Sequence, residues 1–299
     1  MNRLPAWLLL SAAAAFWGGN FVVARAVSSS LPPLTLSFYR WLVALLILLP
    51  LAGKEVWEKR NQIRDNFKWF ALVTVMGTVL FHVFVYVGLG TTTAINATLL
   101  VATSPVIIPL VAVIVHRDRI TGWQAIGICI SILGVLIILT QADLEVLASF
   151  AFSSGDLLIL AAVVAWAVYS VVLRDRRDDL SPLGFVLAIT VLGIPILFML
   201  YLFELVGQGG FAVTSGHVLT IAYVGLFASV LAYLAWNKGV ELIGAIRSGP
   251  FMSLMPAFAA LLAVVFLDES LELYHLAGTA VIAVGLILSS RRSGVRLPT

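Results

Sequence analysis

Hydrophobic residues are concentrated in long stretches that short polar segments separate. A bilayer core about 30 Å thick requires roughly 20 apolar residues in helical conformation. The alternation typical of a lipid-facing barrel is absent, and a membrane-spanning backbone otherwise has to be helical. The pattern therefore predicts an all-α polytopic membrane protein with ten transmembrane helices, at residues 4–26, 33–52, 67–89, 94–115, 122–140, 155–173, 182–206, 216–239, 246–267 and 273–290.

Basic residues are distributed unevenly among the segments between these stretches. Of the 18 Lys and Arg residues, all but Arg25 and Arg40 lie at the termini or in alternate loops. These are Arg3, Lys54, Lys59, Arg60, Arg64, Lys68, Arg117, Arg119, Arg174, Arg176, Arg177, Lys238, Arg247, Arg291, Arg292 and Arg296. The other five loops contain none. Because cytoplasmic loops carry the excess of Lys and Arg, both termini are predicted to be cytoplasmic.

The first stretch also has the features of a cleavable signal peptide. Met1–Arg3 supplies a charged end, Leu4–Leu10 an apolar run and Ala12–Ala15 small residues. Hydrophobicity continues through Val27, however, and the stretch has a counterpart later in the chain. A first transmembrane helix is therefore favoured over a signal peptide.

Two halves of the chain resemble each other at an offset near 150 residues. Trp17–Arg25 aligns with Trp166–Arg174, and further pairs follow in order. They are Pro33 with Pro182, Gly88 with Gly239, Ala94 with Ala245, Pro105 with Pro256, Gly127 with Gly278 and Gly134 with Gly285. Two repeats are predicted, at 1–149 and 150–299. Five helices in each place the second repeat upside down, an arrangement typical of secondary transporters, although a duplicated bundle without transport activity is the alternative.

Composition narrows the function classes further. Hydrophobic residues make up 61% of the chain and charged residues 11%, so the excess apolar surface has to face lipid. The single cysteine, Cys129, excludes internal disulfides, cysteine-based zinc sites and iron–sulfur clusters. Phosphate-binding glycine loops, metal-ligand clusters and nucleophile–His–acid arrangements are not apparent. We therefore expect no cofactor, no metal and no nucleic-acid partner, and a protein that is not an enzyme.

Several segments carry a resemblance to a known family. They are AFWGGNFVVAR and VAWAVYSVVLR, SFYRW in the second stretch, the proline-bearing ATSPVIIPL and GPFMSLMPAFAALLAVVFLDE, and the glycine-rich fifth and tenth stretches. Together they resemble the EamA family of the drug/metabolite transporter superfamily, over essentially the whole chain. Within it the sequence is most similar to the YddG-type amino acid exporters. This resemblance implies two five-helix halves around a central cavity, alternating access and the bacterial inner membrane.

Candidate site residues are aromatic and polar side chains at mid-span positions. They are Trp17, Asn20, His82, Tyr86, Trp166, Tyr169, Tyr233 and Trp236. Several pairs are three or four residues apart and so share a helix face. Trp17, His82, Trp166 and Tyr233 lie too deep for an interfacial aromatic belt. They predict a cavity whose walls suit apolar or aromatic substrates through stacking and cation–π contacts; ordinary helix packing is the alternative for any one of them.

Arg40 completes the candidate site, about seven residues into the second stretch. An intramembrane charge is costly and marks a functional candidate, so we expect it to bind a substrate carboxylate. Snorkelling, or hydrogen bonds to helix ends near the outer mouth, is the alternative. His82 is a candidate proton carrier or a packed core histidine. Pro105 and Pro256 are expected to interrupt helices, either freeing carbonyls for a ligand or forming plain kinks.

The sequence thus predicts a secondary transporter that exports small organic metabolites, most of all apolar or aromatic amino acids. Acidic residues are absent from the span centres, since Asp156 and Glu204 lie near span ends, which disfavours a cation antiporter. The alternatives are a multidrug or other metabolite carrier of the same superfamily, a membrane-embedded enzyme, and a scaffold or receptor. The expected partners are a small-molecule substrate and the lipid bilayer, with the protein a monomer or homodimer.

Overall fold

A computed structural model of the chain describes residues 4–117, 122–143, 145, 153–176, 178–243, 251–252 and 254–289. Within these ranges the fold is helical and contains no strand. The basic residues Arg3, Arg119, Arg177, Arg247, Arg291, Arg292 and Arg296 and the paired Ala245 lie outside them. The helices before residue 150 are α1 (Leu4–Val27), α2 (Pro33–Glu58), the short α3 (Arg60–Asp65), α4 (Phe67–Gly88), α5 (Ala94–Val101), α6 (Ser104–His116) and α7 (Gly122–Leu139).

Five helices follow in the second part of the chain. They are α8 (Ser154–Val172), which ends in the 3₁₀ turn Leu173–Asp175; α9 (Pro182–Gln208); α10, made of Ser215–Tyr223, Val224–Leu231 and Ala232–Ile243; α11 (Leu254–Leu267); and α12 (Leu273–Ser289). Ser153, Ser181 and Thr214 begin α8, α9 and α10 as N-caps, because each side chain accepts a hydrogen bond from a backbone N–H of the first turn.

Six of the described helices are long and apolar enough to cross a membrane. The pair Ala94–Val101 and Val106–His116, bent by 45°, makes a seventh if it is one span, and Ala125–Ile138, Leu254–Leu267 and Leu273–Gly285 are shorter apolar helices. Large hydrophobic side chains such as Leu46, Ile114 and Phe203 are exposed on the outside of the bundle. An apolar exterior of this kind faces lipid, so the chain is a multi-pass membrane protein.

Two of the helices contain a π-helical segment, in which backbone hydrogen bonds reach five residues back. Thr74–Leu80 lies within α4 and Val224–Leu231 within α10, and the two segments start 150 residues apart. Such segments are rare in proteins and are common at functional sites. Their separation agrees with the offset of about 150 residues at which the two halves of the sequence align.

The expected interruption at Pro105 occurs one turn earlier than the sequence indicated. Helix α5 ends at Val101, and Pro105 lies in the first turn of α6, where its missing N–H would have no helical partner anyway. The hydroxyls of Thr103 and Ser104 donate to the carbonyls of Leu100 and Val101 at 2.6 and 2.5 Å. These two carbonyls therefore have local hydrogen-bond donors, as the plain-kink alternative expects.

Pro256 likewise lies in the first turn of its helix, α11, and not in the middle. Both prolines therefore lie near the start of a helix, a boundary that the continuous apolar run does not reveal. The nearby Pro250 lies outside the described residues.

Helices α2 and α9 pack antiparallel and cap each other at both ends. Glu204, near the end of α9, accepts from the backbone N–H groups of Leu34 and Thr35 at 3.1 and 2.6 Å. Glu55, near the end of α2, accepts from the backbone N–H and the hydroxyl of Ser181 at 2.7 and 2.5 Å. Each carboxylate thus accepts hydrogen bonds from free N–H groups at the start of the other helix. Its negative charge also interacts favourably with the partial positive charge of the helix dipole there.

Helices α7 and α12 also pack antiparallel, through glycines. A Cβ added at Gly134 would lie 2.7 Å from the carbonyl oxygen of Gly278, and one at Gly285 would lie 2.5 Å from that of Gly127. In the repeat alignment Gly134 corresponds to Gly285 and Gly127 to Gly278, so the two contacts are equivalent. Small residues allow this close backbone approach, so the glycines serve packing within one protomer.

The first helix of each sequence half packs mainly against helices of the other half. Helix α1 packs against α10 and α11, and α8 packs against α4 and α6. A Cβ added at Gly18 would lie 2.9 Å from the carbonyl oxygen of Met255, and Gly19 faces the Tyr223 hydroxyl. Gly18 and Gly19 are therefore packing positions, which bring Trp17 and Asn20 to the centre of the bundle.

Candidate functional site

Arg40 lies at the centre of the site and is only 1% exposed. Its Nε donates to the Ser229 hydroxyl at 2.5 Å, and its Nη1 donates to Asn20 Oδ1 at 3.2 Å and to the Tyr86 hydroxyl at 2.7 Å. Its Nη2 donates to the carbonyl oxygen of Ala228 at 3.1 Å. Arg40 therefore does not snorkel and does not bind a helix end, because α10 supplies polar partners at mid-helix.

The π-helical segment of α10 accounts for these partners. The Ser229 hydroxyl donates to the carbonyl of Val224, five residues earlier, at 2.8 Å, and its oxygen accepts from Arg40. The Ala228 carbonyl accepts from Arg40 and also from the Trp17 indole N–H, at 3.0 Å. One irregular turn thus orients both the cation and the indole of Trp17.

Aromatic side chains surround Trp17. Its ring centroid lies 5.6 Å from that of Trp236, 5.8 Å from that of Tyr233 and 6.5 Å from that of Trp166. The Trp166 ring in turn lies 5.0 Å from Tyr169. Centroid separations of 4.5–7 Å are those of favourable aromatic pairs. The predicted aromatic residues of α1, α8 and α10 therefore form one continuous wall.

His82 has a defined tautomer. Its Nδ1 lies 3.0 Å from the carbonyl oxygen of Thr78, which can only accept a hydrogen bond. Nδ1 therefore carries a proton, and in the neutral imidazole Nε2 offers a lone pair. Nε2 has no hydrogen-bond partner among the described residues, and the ring lies 5.2 Å from that of Trp41.

These side chains face a common cavity between the helices. It is lined by Trp17, Asn20, Phe21, Arg40, Phe81, His82, Val101, Trp166, Tyr233, Met252 and Met255. Of the nine predicted residues, six line it; Tyr86, Tyr169 and Trp236 lie directly behind the lining. Phe21 and Phe81 were missed although each neighbours a predicted residue, whereas Val101, Met252 and Met255 carry no distinguishing sequence signal.

The cavity is electrostatically unbalanced. Its lining contains one permanent cation, Arg40, and no Asp or Glu, and the guanidinium forms no ion pair within the described part of the chain. The described residues also hold no group of three His, Cys, Asp or Glu side chains that could bind a metal ion. The chemistry of the cavity is therefore that of aromatic faces around a single positive charge.

Two other charged residues of the spans, Arg25 and Asp156, have partners at helix ends. Arg25 donates to the carbonyls of Leu89 and Gly90, in the turn after α4, at 2.7 and 3.2 Å. Asp156, in the first turn of α8, accepts from the Thr92 hydroxyl. Arg25 and Arg40 are the two basic residues outside the termini and the basic loops, and of these two Arg40 alone lines the cavity.

Taken together, these features define a multi-pass membrane protein with an aromatic central cavity. The chain belongs to the EamA-like transporter family, which matches residues 4–140 and 153–291. It is 26% identical to "Uncharacterized transporter YyaM" of Bacillus subtilis (strain 168) over 298 residues, 100% of this chain and 97% of the relative. An uncharacterized transporter of Archaeoglobus fulgidus is also 26% identical, over 95% of this chain and 97% of its own length.

The fold itself is also found in a solved structure. A crystal structure that is 18% identical in sequence superimposes with a TM-score of 0.60 and covers 97% of each chain. The membership of the family and the names of these relatives support a membrane transporter. The names do not state a substrate.

Proposed function

We propose that this protein is a secondary transporter that exports small organic metabolites, most of all apolar or aromatic amino acids, by alternating access. The observation that carries the proposal is the cavity around Arg40. Trp, Phe and Tyr rings from several helices line it, and one cation is available for a carboxylate. The outward direction and the bacterial inner membrane rest on the resemblance to YddG-type exporters.

The proposed architecture is ten transmembrane helices in two inverted repeats, residues 1–149 and 150–299, with both termini cytoplasmic. The π-helical segments 150 residues apart support this arrangement. So do the antiparallel pairs α2/α9 and α7/α12. In the first pair a carboxylate near the end of each helix caps the start of the other, and in the second pair the two glycine contacts are related by the repeat offset. A substrate site between such repeats is typical of secondary transporters.

The proposed conformational change follows the packing groups rather than the two sequence halves. Helix α1 packs with α10 and α11, α8 packs with α4 and α6, and the cavity lies between these two groups. Inverted repeats allow the groups to exchange conformations, which gives inward-open and outward-open states of similar free energy. Rocking of one group against the other would then open the cavity to each side in turn.

The test is counterflow in proteoliposomes that contain the purified protein. Labelled amino acids, a cationic dye and a sugar phosphate are compared, each with and without a pH gradient. We expect accumulation of labelled phenylalanine inside vesicles preloaded with unlabelled phenylalanine, and none in empty vesicles. Transport of the dye alone would favour the multidrug alternative, and transport of the sugar phosphate alone would contradict the proposed substrate class. No flux of any compound would contradict the transporter proposal.

A further inference from the structure

The charge of Arg40 lacks a negative partner. All four of its hydrogen-bond acceptors are neutral: a hydroxyl on each of Ser229 and Tyr86, the amide oxygen of Asn20 and a backbone carbonyl. A buried cation without an anion is costly, because neutral dipoles replace water only in part. A ligand that brings one negative charge would therefore lower the electrostatic cost of the site.

The guanidinium also has one donor to spare. Arginine carries five N–H groups, one on Nε and two on each terminal nitrogen. Nε makes one hydrogen bond, Nη1 makes two and Nη2 makes one. One N–H on Nη2 is thus left for a ligand acceptor.

Asn20 supplies a second set of donors beside it. Its Oδ1 accepts from Arg40 Nη1 at 3.2 Å and from the Tyr86 hydroxyl at 2.8 Å, which assigns Nδ2 to the other side of the amide. Asn20 is 4% exposed and lines the cavity, and its Nδ2 has no partner among the described residues. Two neighbouring side chains therefore offer unused N–H donors, matching the two acceptor oxygens of a carboxylate.

The cavity offers fewer binding partners to an ammonium group than to a carboxylate. The strong acceptors next to Arg40 are occupied, since Asn20 Oδ1 and the Ala228 carbonyl each accept two hydrogen bonds. His82 Nε2 supplies one lone pair, and aromatic faces add cation–π contacts. Because the lining has no carboxylate, an ammonium would add a second positive charge to a cavity that already contains one.

We propose that the carboxylate is the group this site requires and that the amino group is dispensable, so that aromatic monocarboxylates without an amino group are also ligands. The proposal rests on the proposed function in placing the substrate in this cavity. It extends the ligand class from amino acids to aromatic carboxylic acids in general.

The experiment compares three ligands with the same phenyl body. Phenylalanine has both charged groups, 3-phenylpropanoate has only the carboxylate and phenethylamine only the ammonium. Binding is followed by quenching of tryptophan fluorescence in purified protein, since Trp17 and Trp166 line the cavity. Inhibition of labelled phenylalanine counterflow is measured in parallel. We expect 3-phenylpropanoate to bind at least as tightly as phenylalanine, and phenethylamine at least about tenfold more weakly, the effect of one lost charge-assisted hydrogen bond.

The outcomes separate the two proposals. If phenylalanine shows counterflow but phenethylamine competes as well as 3-phenylpropanoate, the carboxylate requirement is wrong and the transport function stands. If 3-phenylpropanoate binds but phenylalanine shows no counterflow, the requirement stands and the amino acid substrate is wrong. Failure of 3-phenylpropanoate to bind overturns the inference.

A charge-changing variant gives an independent test. Asn20→Asp is isosteric and places a carboxylate beside Arg40, which supplies the missing negative charge and removes the amide donors. We expect 3-phenylpropanoate affinity to fall at least about tenfold and phenethylamine affinity to be unchanged or higher. Asn61→Asp, on the exposed surface of α3, is the matched control and should leave both affinities unchanged. An unaltered ligand preference in Asn20→Asp would overturn the inference, and the wild-type comparison decides alone if that variant does not fold.

Discussion

Arg40 donates a hydrogen bond of 2.7 Å to the hydroxyl of Tyr86, and that hydroxyl donates in turn to the Asn20 oxygen that Arg40 also contacts. The two side chains come from α2 and α4, and both are almost fully buried. Tyr86 lies behind the cavity lining, so its role is to hold Arg40 and Asn20 in place. The polar part of the site depends on this support.

Removal of the Tyr86 hydroxyl should therefore weaken ligand binding without altering the aromatic wall. In Tyr86→Phe, Arg40 Nη1 and Asn20 Oδ1 each lose one hydrogen bond, worth about 1 kcal/mol or more when one partner is charged. We expect phenylalanine affinity to fall roughly fivefold to tenfold, measured by fluorescence titration. Tyr39→Phe, a half-buried tyrosine of α2 outside the cavity lining, is the control. Equal affinities of Tyr86→Phe and the wild type would show that the hydroxyl does not position the site.

The aromatic wall is tested by Trp17→Ala and Trp166→Ala. Both indoles line the cavity, and Trp17 also contacts Tyr233 and Trp236, so truncation removes stacking surface for an aromatic substrate. We expect the initial rate of phenylalanine counterflow to fall at least about tenfold in each variant, with normal insertion judged by size-exclusion profile. Trp7→Ala, on the exposed face of α1, should transport like the wild type. Normal flux in the two cavity variants would exclude them from the site.

The helical parts of the fold could be predicted well from sequence because a spanning helix leaves a strong local signal. The deep position of Arg40 and the aromatic residues at mid-span could also be predicted, since neither residue type is expected there without a reason.

Features that depend on packing between distant segments could not be predicted. The π-helical segments TVMGTVL and VGLFASVL look like any apolar helix, yet the second one provides the Ala228 carbonyl and the Ser229 hydroxyl. Met255 lines the cavity because α11 packs against α1, and Met252, just before α11 in the chain, lines it as well. The Glu204 cap on α2 bridges 169 residues of sequence, and it appeared in the sequence only as an acid near a span end.

The glycine contact between α7 and α12 predicts a selective loss of stability. In Gly134→Ala the new Cβ would lie 2.7 Å from the Gly278 carbonyl oxygen, so the helix backbones have to separate. We expect Tm in detergent to fall by several degrees, because a backbone contact cannot relax as a side chain can. At Gly122 no atom of the described residues lies within 4 Å of an added Cβ, so Gly122→Ala should leave Tm unchanged or slightly raised. Equal Tm values for the two variants would contradict this packing.

The proposed topology predicts which loops a membrane-impermeant thiol reagent reaches in intact cells. In a Cys129→Ser background, Gly210→Cys places a thiol in the exposed segment between α9 and α10, on the proposed outer side. Asn61→Cys places one on α3, in the basic segment assigned to the cytoplasm by its charge. We expect labelling of the first variant in intact cells and of the second only after permeabilisation. The reverse pattern would invert the orientation.

The central claim, that the cavity around Arg40 holds the substrate, is tested most directly by photolabelling. The purified protein is irradiated with 4-azidophenylalanine, which retains the carboxylate and the aromatic ring, and adducts are located by mass spectrometry. The account predicts adducts on cavity residues such as Phe81, Met252 and Met255, and their loss with excess unlabelled phenylalanine. Adducts confined to residues outside the lining, or cavity adducts that excess phenylalanine does not reduce, would contradict it.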